Sequence, residues 1–246
     1  MNEQLSLEQT QAQKRITGVI IASAIIILWL GHLAYILTSV EPDPANPVFW
    51  LHFLLQTYLY TGLFITGHDA MHGTIYRGKG WNSFFGSVSC FLYAGLSYKT
   101  LIKNHFLHHK HPGEEGDPDF SVKTQNFWLW WLSFMYHYTT LWQLTIMAVA
   151  FNVMKRYIPE SSLIAFWVIP AFLSSLQLFY FGTYKPHMKP HTDEMKPHKA
   201  RSQKLNHLWA MLSCYFFGYH HEHHEYPRTP WWQLYKVKEA AEGKAA

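Results

Sequence analysis

Four long stretches of this 246-residue chain contain no Asp, Glu, Lys or Arg, and they limit what the chain can fold into. They cover residues 16–40, 44–68, 124–154 and 161–184. A helix needs about 20 apolar residues to cross the hydrocarbon core of a bilayer, where every backbone polar group must be paired within the protein. We therefore predict an all-α integral membrane protein with four transmembrane helices, at approximately 16–40, 47–67, 127–154 and 161–184.

Two further apolar segments, residues 81–98 and 205–221, are predicted to be interfacial helices. Phe84 and Phe91 lie two helical turns apart on one face, which is typical of a helix lying in the membrane interface. The first segment is also long enough to be a span, and periodicity alone does not exclude one. No internal repeat is evident, so we predict one membrane-embedded domain over residues 1–246.

The basic residues are distributed unevenly among the segments that connect the predicted spans. Eighteen of the 20 Lys and Arg residues lie in 1–15, 68–126 and 185–246, and two lie in the connectors 41–47 and 155–160. Because Lys and Arg accumulate on the cytoplasmic side of membrane proteins, we predict that both termini are cytoplasmic. The second and fourth spans would then end on the cytoplasmic side.

Histidine is unusually frequent, with 17 residues against 16 carboxylates, and eight of the histidines form three clusters. HDAMH follows the second predicted span, HFLHH lies in the next connector, and HHEHH overlaps the end of the segment 205–221. Positions three or four apart lie on one helical face, so each cluster is expected to direct two or three imidazoles towards a common point. The clustered histidines are His68, His72, His105, His108, His109, His220, His223 and His224.

The number of clustered histidines indicates the kind of metal site they form. A tetrahedral zinc site needs four ligands, whereas eight imidazoles suit two octahedral ions that keep positions open for water or dioxygen. The zinc-protease motif HExxH is absent, and a chain with only two cysteines, Cys90 and Cys214, is not a Cys-rich zinc module. We therefore predict a histidine-rich metal centre on the cytoplasmic side.

A ninth ligand is expected at the cytoplasmic end of the fourth span, where His187 lies nearest to the membrane. His191 and His198, in the adjoining Lys-Pro-His repeats, remain alternatives for this position. His32 and His52 are interpreted as packed, hydrogen-bonded residues of the first two spans. The roles of four others are left open: His111, His137, His207 and His221.

Asp69 and Asp117 are candidates for accepting a hydrogen bond from a metal-bound imidazole, because such imidazoles usually donate their second N–H to a nearby acceptor. Asp69 lies within HDAMH, and Asp117 belongs to GDPDF, eight residues after His109. Turn chemistry explains the Pro-containing GDPDF segment equally well.

The order of these motifs resembles the membrane fatty acid desaturase and hydroxylase superfamily: HxxxH after the second span, then HxxHH, a returning hairpin and a final HxxHH. The segments FLYTGLFITGHDAMHG, HFLHHKHPG, LSSLQLFYFGTYKPH and FGYHHEHHEYP resemble the bacterial β-carotene 4-ketolase family within it. The resemblance extends from the first span to PWW at 230–232. It implies a di-iron site in which the eight clustered histidines and His187 bind two Fe²⁺ ions. It also implies a multi-pass protein of the bacterial inner membrane or an equivalent membrane.

The activity implied by this resemblance is the oxygen-dependent conversion of the C4 methylene of a β-ionone ring to a ketone. β-Carotene would give echinenone and then canthaxanthin, through two successive hydroxylations and a dehydration at C4. Carotenoid hydroxylation and fatty acyl desaturation are alternatives within the same superfamily. A metal transporter is a remote alternative, because the predicted spans contain none of the Asp, Glu, Lys or Arg residues that line a transport path.

The same features indicate the partners. A metal site beside aromatic-rich spans suits a very apolar carotenoid taken from the lipid bilayer. No nucleotide-binding fingerprint is present, so we expect an external electron donor resembling an acidic ferredoxin at the basic cytoplasmic face. The basic residues do not form a nucleic-acid-binding element. The sequence leaves open whether the substrate ring carries a 3-hydroxyl group and what the oligomeric state is.

Overall fold

The computed structural model describes the backbone of residues 2–243 and the side chains of residues 16–243. The regular structure of the described residues is helical, as the sequence predicts. In chain order, the helices are α1 (Asn2–Ser39), α2 (Pro47–Met71), α3 (Lys79–Ala94), α4 (Tyr98–Lys110), α5 (Phe127–Tyr138), α6 (Leu141–Met154), α7 (Glu160–His187), α8 (His207–Cys214), α9 (His220–Glu225) and α10 (Leu234–Ala241).

Three helical segments are long and apolar enough to cross a membrane: Ile16–Ser39, Pro47–Met71 and Glu160–His187. They correspond to the first, second and fourth predicted spans. α2 begins where the Asn46 side chain accepts a hydrogen bond from the backbone N–H of Val48. The three helices share an apolar core that includes Trp29, Ile36, Tyr60, Leu63 and Phe166.

Helix α7 continues through two prolines. A π-helical segment, Ile164–Val168, precedes Pro170, and a second one, Tyr180–Tyr184, precedes Pro186. Local π turns help to pair the carbonyl groups that a proline leaves without an N–H partner. The helix therefore reaches His187, beyond the predicted end of the fourth span at residue 184.

The prediction of one continuous helix over residues 127–154 is wrong, because α5 and α6 are separate helices. Thr139 is extended, and Thr140 begins α6 with a reciprocal cap in which its side chain accepts from the Gln143 N–H. Threonine favours such a cap over a helix interior, since its hydroxyl competes for backbone hydrogen bonds. At about 1.5 Å per residue, neither helix alone is long enough to cross a hydrocarbon core of roughly 30 Å.

The α5–α6 pair runs along α7 in the opposite direction. The ring of Phe127, at the start of α5, lies 5.1 Å from the ring of Tyr184 near the end of α7. The ring of Phe151, near the end of α6, stacks 6.3 Å from Trp167 in the first turns of α7. Together α5 and α6 therefore extend along most of the length of α7.

Helix α3 covers most of the predicted interfacial segment 81–98 and packs against the end of α2. The two helices approach closely at Gly67, where a Cβ would lie 2.9 Å from the sulfur of Cys90. Phe84, on the opposite face of α3, is exposed. Gly95 ends the helix in a left-handed conformation with a φ of 67°, so the chain turns and carries HFLHH back towards α2 on a separate helix, α4.

The prediction of one interfacial helix over residues 205–221 is also wrong, because α8 ends at Cys214. Tyr215 and Phe216 both have positive φ angles, 49° and 60°, and they reverse the chain before α9 begins. The reversal places Phe217 against Gly182 of α7, where a Cβ would lie 1.9 Å from the Phe217 ring. A glycine at this position of α7 therefore allows HHEHH to reach the ends of α2 and α4.

Candidate metal centre

The nine histidines that the sequence identifies meet at one end of the helix bundle. HDAMH lies at the end of α2, HFLHH at the end of α4 and HHEHH in α9, while His187 ends α7. Because α2 and α7 both run towards this end, the chain between them has to return to the opposite end before α7 begins. The tertiary fold thus brings together histidines from four separate helices.

The nine imidazoles separate into two groups of candidate metal ligands. Site A contains His68, His72, His105, His109 and His223, and site B contains His108, His187, His220 and His224. Within each site, one ring nitrogen of every histidine lies within 4.8 Å of the others. Two histidines of each HxxHH cluster share a site, and the third belongs to the other site.

The ring nitrogens in both sites face one another. In site A, the Nε2 atoms of His72 and His105 are 2.6 Å apart. In site B, the Nε2 atoms of His108 and His224 are 3.2 Å apart. The Nε2 atoms of His68 in site A and His187 in site B are buried and lack a hydrogen bond to the described residues. Because a neutral imidazole carries one N–H and one lone pair, this convergence of nitrogen atoms fits a bound cation.

Burial keeps most of these imidazoles neutral. It lowers the pKa of His72 to about 4, and it holds the pKa values of His105, His220 and His224 well below their usual range, with a further contribution from neighbouring histidines. Neutral imidazole is the form that binds metal, so both sites are prepared for ligation at neutral pH.

Asp117 orients one ligand of site B. Both of its carboxylate oxygens lie 3.0 Å from Nδ1 of His108, so the His108 Nδ1–H donates to Asp117 and Nε2 remains for site B. Asp117 is itself held by the backbone N–H groups of Gly113 and Asp119, at 2.8 and 2.9 Å. Although burial alone would lower it, the carboxylates of Asp119 and Asp117 hold the pKa of His108 above its usual value.

Asp69 has a different environment from Asp117. Its nearest approach to an imidazole is 3.8 Å, between Oδ1 and Nδ1 of His68, which is longer than a hydrogen bond. Its other carboxylate oxygen accepts the backbone N–H of Trp231 at 3.1 Å. Asp69 therefore ties the chain segment before α10 to the end of α2.

Of the three alternatives for the ninth position, the structure groups His187 with other histidines. Nδ1 of His187 lies 3.0 Å from the backbone oxygen of Lys199, which leaves Nε2 for site B. Nε2 of His191 donates to the backbone oxygen of His187, and Nε2 of His198 lies 2.7 Å from a carboxylate oxygen of Glu225. His191 and His198 thus use their Nε2 atoms outside sites A and B.

The remaining described histidines lie outside both sites. Nδ1 of His32 lies 2.6 Å from Oε1 of Gln56, and its Nε2 lies 3.0 Å from Nδ1 of His52, so the two residues are packed and hydrogen-bonded as predicted. His137, His207 and His221 hydrogen-bond to backbone oxygens or to a carboxylate in their own surroundings. Nδ1 of His111 lies 3.7 Å from a carboxylate oxygen of Glu114.

Sequence reasoning missed Glu222, a buried carboxylate inside HHEHH. The Ser202 hydroxyl donates to it at 2.5 Å and the Lys238 ammonium at 3.1 Å. The Lys238 pairing joins α10 to α9. The sequence signal was weak, because the partner lysine follows 16 residues later with no recognisable motif.

A cavity of about 530 Å³ extends from the two sites between α5, α6 and α7. Imidazoles from both sites form part of its wall: His68 and His105 from site A, and His108 and His220 from site B. The rest of the wall is mainly apolar and aromatic, and includes Phe64, Trp131, Phe134, Met147, Phe151, Trp167, Leu178 and Phe217. Its volume lies within the range of small-molecule sites, roughly 300 to 1,000 Å³.

The cavity reaches the apolar outer surface of the bundle. Leu132, Leu144 and Phe172 all line it, yet each is more than half exposed, at 55, 54 and 52%. These residues belong to α5, α6 and α7, so the opening lies between the helix pair and the third membrane-capable helix. A molecule in the cavity therefore has a path to the surface through apolar side chains.

Asp119 and Tyr138 form a polar pair on the cavity wall, which the sequence analysis also missed. The Tyr138 hydroxyl donates to Oδ1 of Asp119, and Oδ2 lies 3.9 Å from Nδ1 of His108. Burial raises the pKa of the Asp119 carboxyl to about 6, against the opposing effect of His108. Tyr138 gave no sequence signal, since it lies within an apolar run.

A helical bundle with membrane-capable helices, two converging histidine groups and an apolar cavity beside them defines a membrane-embedded metalloprotein. The family model for fatty acid desaturases matches residues 44–160 and 140–246. The chain belongs to the fatty acid desaturase family and, within it, to the branch that contains the β-carotene ketolases.

Three relatives illustrate this branch. A zeaxanthin 4-ketolase of Chlamydomonas reinhardtii is 38% identical, over 93% of this chain and 54% of the relative. A β-carotene 4-ketolase of Protosiphon botryoides is 38% identical, over 88% of this chain and 62% of the relative. A β-carotene ketolase of a Paracoccus species is 35% identical, over 89% of this chain and 90% of the relative. The chain therefore spans little more than half the length of the first two relatives but nearly all of the third.

Proposed function

We propose that this protein is an oxygen-dependent β-carotene 4-ketolase that converts the C4 methylene of a β-ionone ring to a ketone. The observation that carries the proposal is the apolar cavity whose inner wall is formed by imidazoles from both sites. The names of the relatives support the same chemistry and substrate class.

Two iron ions fit the histidines present. Site A offers five imidazoles and site B four, which exceeds the needs of tetrahedral zinc and matches two ions of higher coordination number. The nine histidines of the two sites would hold the ions, with Asp117 orienting His108. Bound iron would supply the activation of dioxygen, which amino-acid side chains do not provide.

The reaction takes place in two rounds at one carbon. Each round consumes one O₂, two electrons from the external donor and two protons, places one oxygen atom on C4 and releases the other as water. After the second round C4 carries two hydroxyl groups, and loss of water gives the ketone. The chain's part is to hold the ring beside the histidines and exclude water, which the aromatic wall of the cavity does.

The apolar opening supports substrate entry from the bilayer. Leu132 and Leu144 are exposed on the helix pair that runs along α7, and Phe172 is exposed on α7 itself, a candidate span, so all three would face lipid chains. A carotenoid is much longer than the cavity is wide. One ring would therefore lie in the cavity while the rest of the polyene extends through the opening into the membrane.

The topology that we propose has four crossings, with α5 and α6 together making the third. α2 and α7 run in the same direction, and the α5–α6 pair returns along α7, so the chain passes the membrane once between them. The two connectors on the far side hold two of the 20 basic residues, and this asymmetry supports a cytoplasmic position for the termini and the metal centre. Cysteines introduced at Lys155 and Lys199 should be labelled from opposite sides of the membrane.

An acidic ferredoxin-like protein is the electron donor that we propose. The described residues include several lysines and arginines around the metal end of the bundle, such as Lys103, Lys110 and Arg201. A positive surface near the metals favours docking of a negatively charged donor and makes its association dependent on ionic strength. Reduction of the purified enzyme by a ferredoxin should therefore slow as salt is added.

Expression in bacteria that accumulate β-carotene, followed by pigment chromatography, tests the activity. We expect echinenone and canthaxanthin with the wild type and none with His108→Ala. His111→Ala is the matched control, because His111 lies three residues after His108 but outside both sites. A stable hydroxylated ring without ketone would indicate a hydroxylase, and unchanged pigment with altered fatty acids would indicate a desaturase.

A further inference from the structure

Two polar side chains of the cavity wall, Ser175 and Tyr93, have hydrogen-bond partners in the backbone of α7. The Ser175 hydroxyl donates to the backbone oxygen of Phe172 at 2.7 Å, and the Tyr93 hydroxyl donates to that of Ala171 at 3.2 Å. Both groups are thus satisfied by α7. Asp119 is different, because Oδ1 accepts from Tyr138 while Oδ2 has no hydrogen-bond partner among the described residues.

Asp119 is held firmly in this position. Its backbone N–H donates to Oδ1 of Asp117 at 2.9 Å, and its backbone oxygen accepts from the indole N–H of Trp130 at 2.8 Å. With Tyr138 bonded to one carboxylate oxygen, the backbone and the side chain are both fixed. The remaining oxygen therefore offers a hydrogen-bond acceptor at a defined place, beside His108 and on the cavity wall.

We propose that Asp119 and Tyr138 retain the hydroxylated product of the first round, so that the same carbon is oxidised a second time. The inference rests on the proposed function. A 4-hydroxyl group on the ring would donate to Oδ2 of Asp119, while the unmodified ring has no group that can do so. The pair thus acts as a positioning device for the intermediate and not for the first substrate.

The physical need for such a device follows from the open, apolar cavity. A hydroxylated ring is more polar than its precursor and is solvated better at the membrane surface than inside an apolar wall. Without a partner for its hydroxyl, it leaves through the opening before the second round. A hydrogen bond to a charged acceptor is among the stronger single interactions that a binding site can offer.

The test compares two substrates in membranes that contain the full-length, iron-loaded enzyme: β-carotene and its 4-hydroxy derivative. Tyr138→Phe and Asp119→Asn should raise the KM for the 4-hydroxy compound about tenfold, which corresponds to loss of one hydrogen bond to a charged group. In Tyr138→Phe, the KM for β-carotene should stay within about twofold, because that molecule makes no such bond. The 4-hydroxy compound should accumulate when β-carotene is supplied.

Tyr58→Phe is the matched control. It removes a phenol hydroxyl that donates to the backbone oxygen of Met211 at 2.7 Å, away from the cavity wall. It should change neither KM. Iron content is measured in every variant, because Asp119 lies close to His108 whereas the Tyr138 hydroxyl hydrogen-bonds to Asp119 and not to an imidazole.

Equal changes in both KM values, or no change in either, would overturn the proposal. Loss of iron from Tyr138→Phe would also overturn it, since the pair would then support the metal centre. A wild type that converts the 4-hydroxy compound but not β-carotene would contradict the sequence of two rounds. If the wild type consumes neither substrate, the proposed function fails and the inference fails with it.

Discussion

Sites A and B draw on the same helices, yet they differ in how they are enclosed. All four histidines of site B are buried, and two of them are oriented from behind, His108 by Asp117 and His187 by the Lys199 carbonyl. In site A, His72 and His109 are partly exposed. The same ligand type therefore stands in two different environments. The fold gives the histidines of site B hydrogen-bond partners behind the ring, and it gives site A access to solvent.

The largest expected effect comes from substituting two adjacent histidines one at a time, because each belongs to a different site. His223→Ala removes a candidate ligand of site A and His224→Ala removes a candidate ligand of site B. Each variant should lose all ketone formation and about half of its iron, since each site is proposed to hold one of two ions. Iron analysis of purified protein checks this, and complete loss of iron in both variants would show that the sites do not form independently.

The two aspartates should differ in their effect on site B. Asp117→Asn should weaken iron binding there by about 10- to 100-fold, because His108 loses its charged acceptor. Asp69→Asn should leave iron binding close to that of the wild type, since Asp69 bonds to the Trp231 backbone and not to an imidazole. Iron titration of the purified proteins measures both, and equal losses would contradict the distinction.

A chelator should remove iron from site A before site B at neutral pH. The partial exposure of His72 and His109 gives solvent and chelator an approach that buried site B lacks. Iron loss should then be biphasic in the wild type. In His223→Ala, in which site A is already disrupted, the fast phase should be missing; its persistence would place the labile iron in site B.

The smallest effect is expected away from both sites, at the break between α5 and α6. Thr140→Ala removes the cap of α6 and should cost about 0.5 to 2 kcal/mol of stability. It should lower the thermal unfolding temperature without changing the relative iron occupancy of the two sites. A selective loss from one site would show that α6 supports that site, which the described contacts do not indicate.

Much of the candidate site could be predicted from local spacing. HxxxH and HxxHH place imidazoles on one helical face whatever the surrounding fold, and His187 lies at the end of an apolar run. These are properties of neighbouring residues, so the sequence shows them directly. Asp117 was open to two interpretations, and only its distance from His108 distinguishes an orienting carboxylate from an ordinary turn residue.

The breaks in the predicted helices could not be found in the same way. Hydropathy over residues 127–154 is continuous, while the capping of α6 by Thr140 and Gln143 depends on two side chains inside the apolar run. Similarly, Gly182 looks like any helix glycine until Phe217 is packed against it. Both features depend on single contacts, which hydropathy averaged over a segment does not detect.

By itself, the sequence determined the helical class, the three membrane-capable helices and the eight clustered histidines, with His187 favoured over His191 and His198 as a ninth, because charge-free length and helical spacing are local properties. Only the tertiary structure decided how the histidines divide between sites A and B, and that Asp119 and Tyr138 share the cavity wall. The division into sites joins α2, α4, α7 and α9. The Asp119–Tyr138 pair joins the loop before α5 to α5 itself. Contacts between distant segments depend on how the helices pack, and a pattern along the chain does not specify that packing.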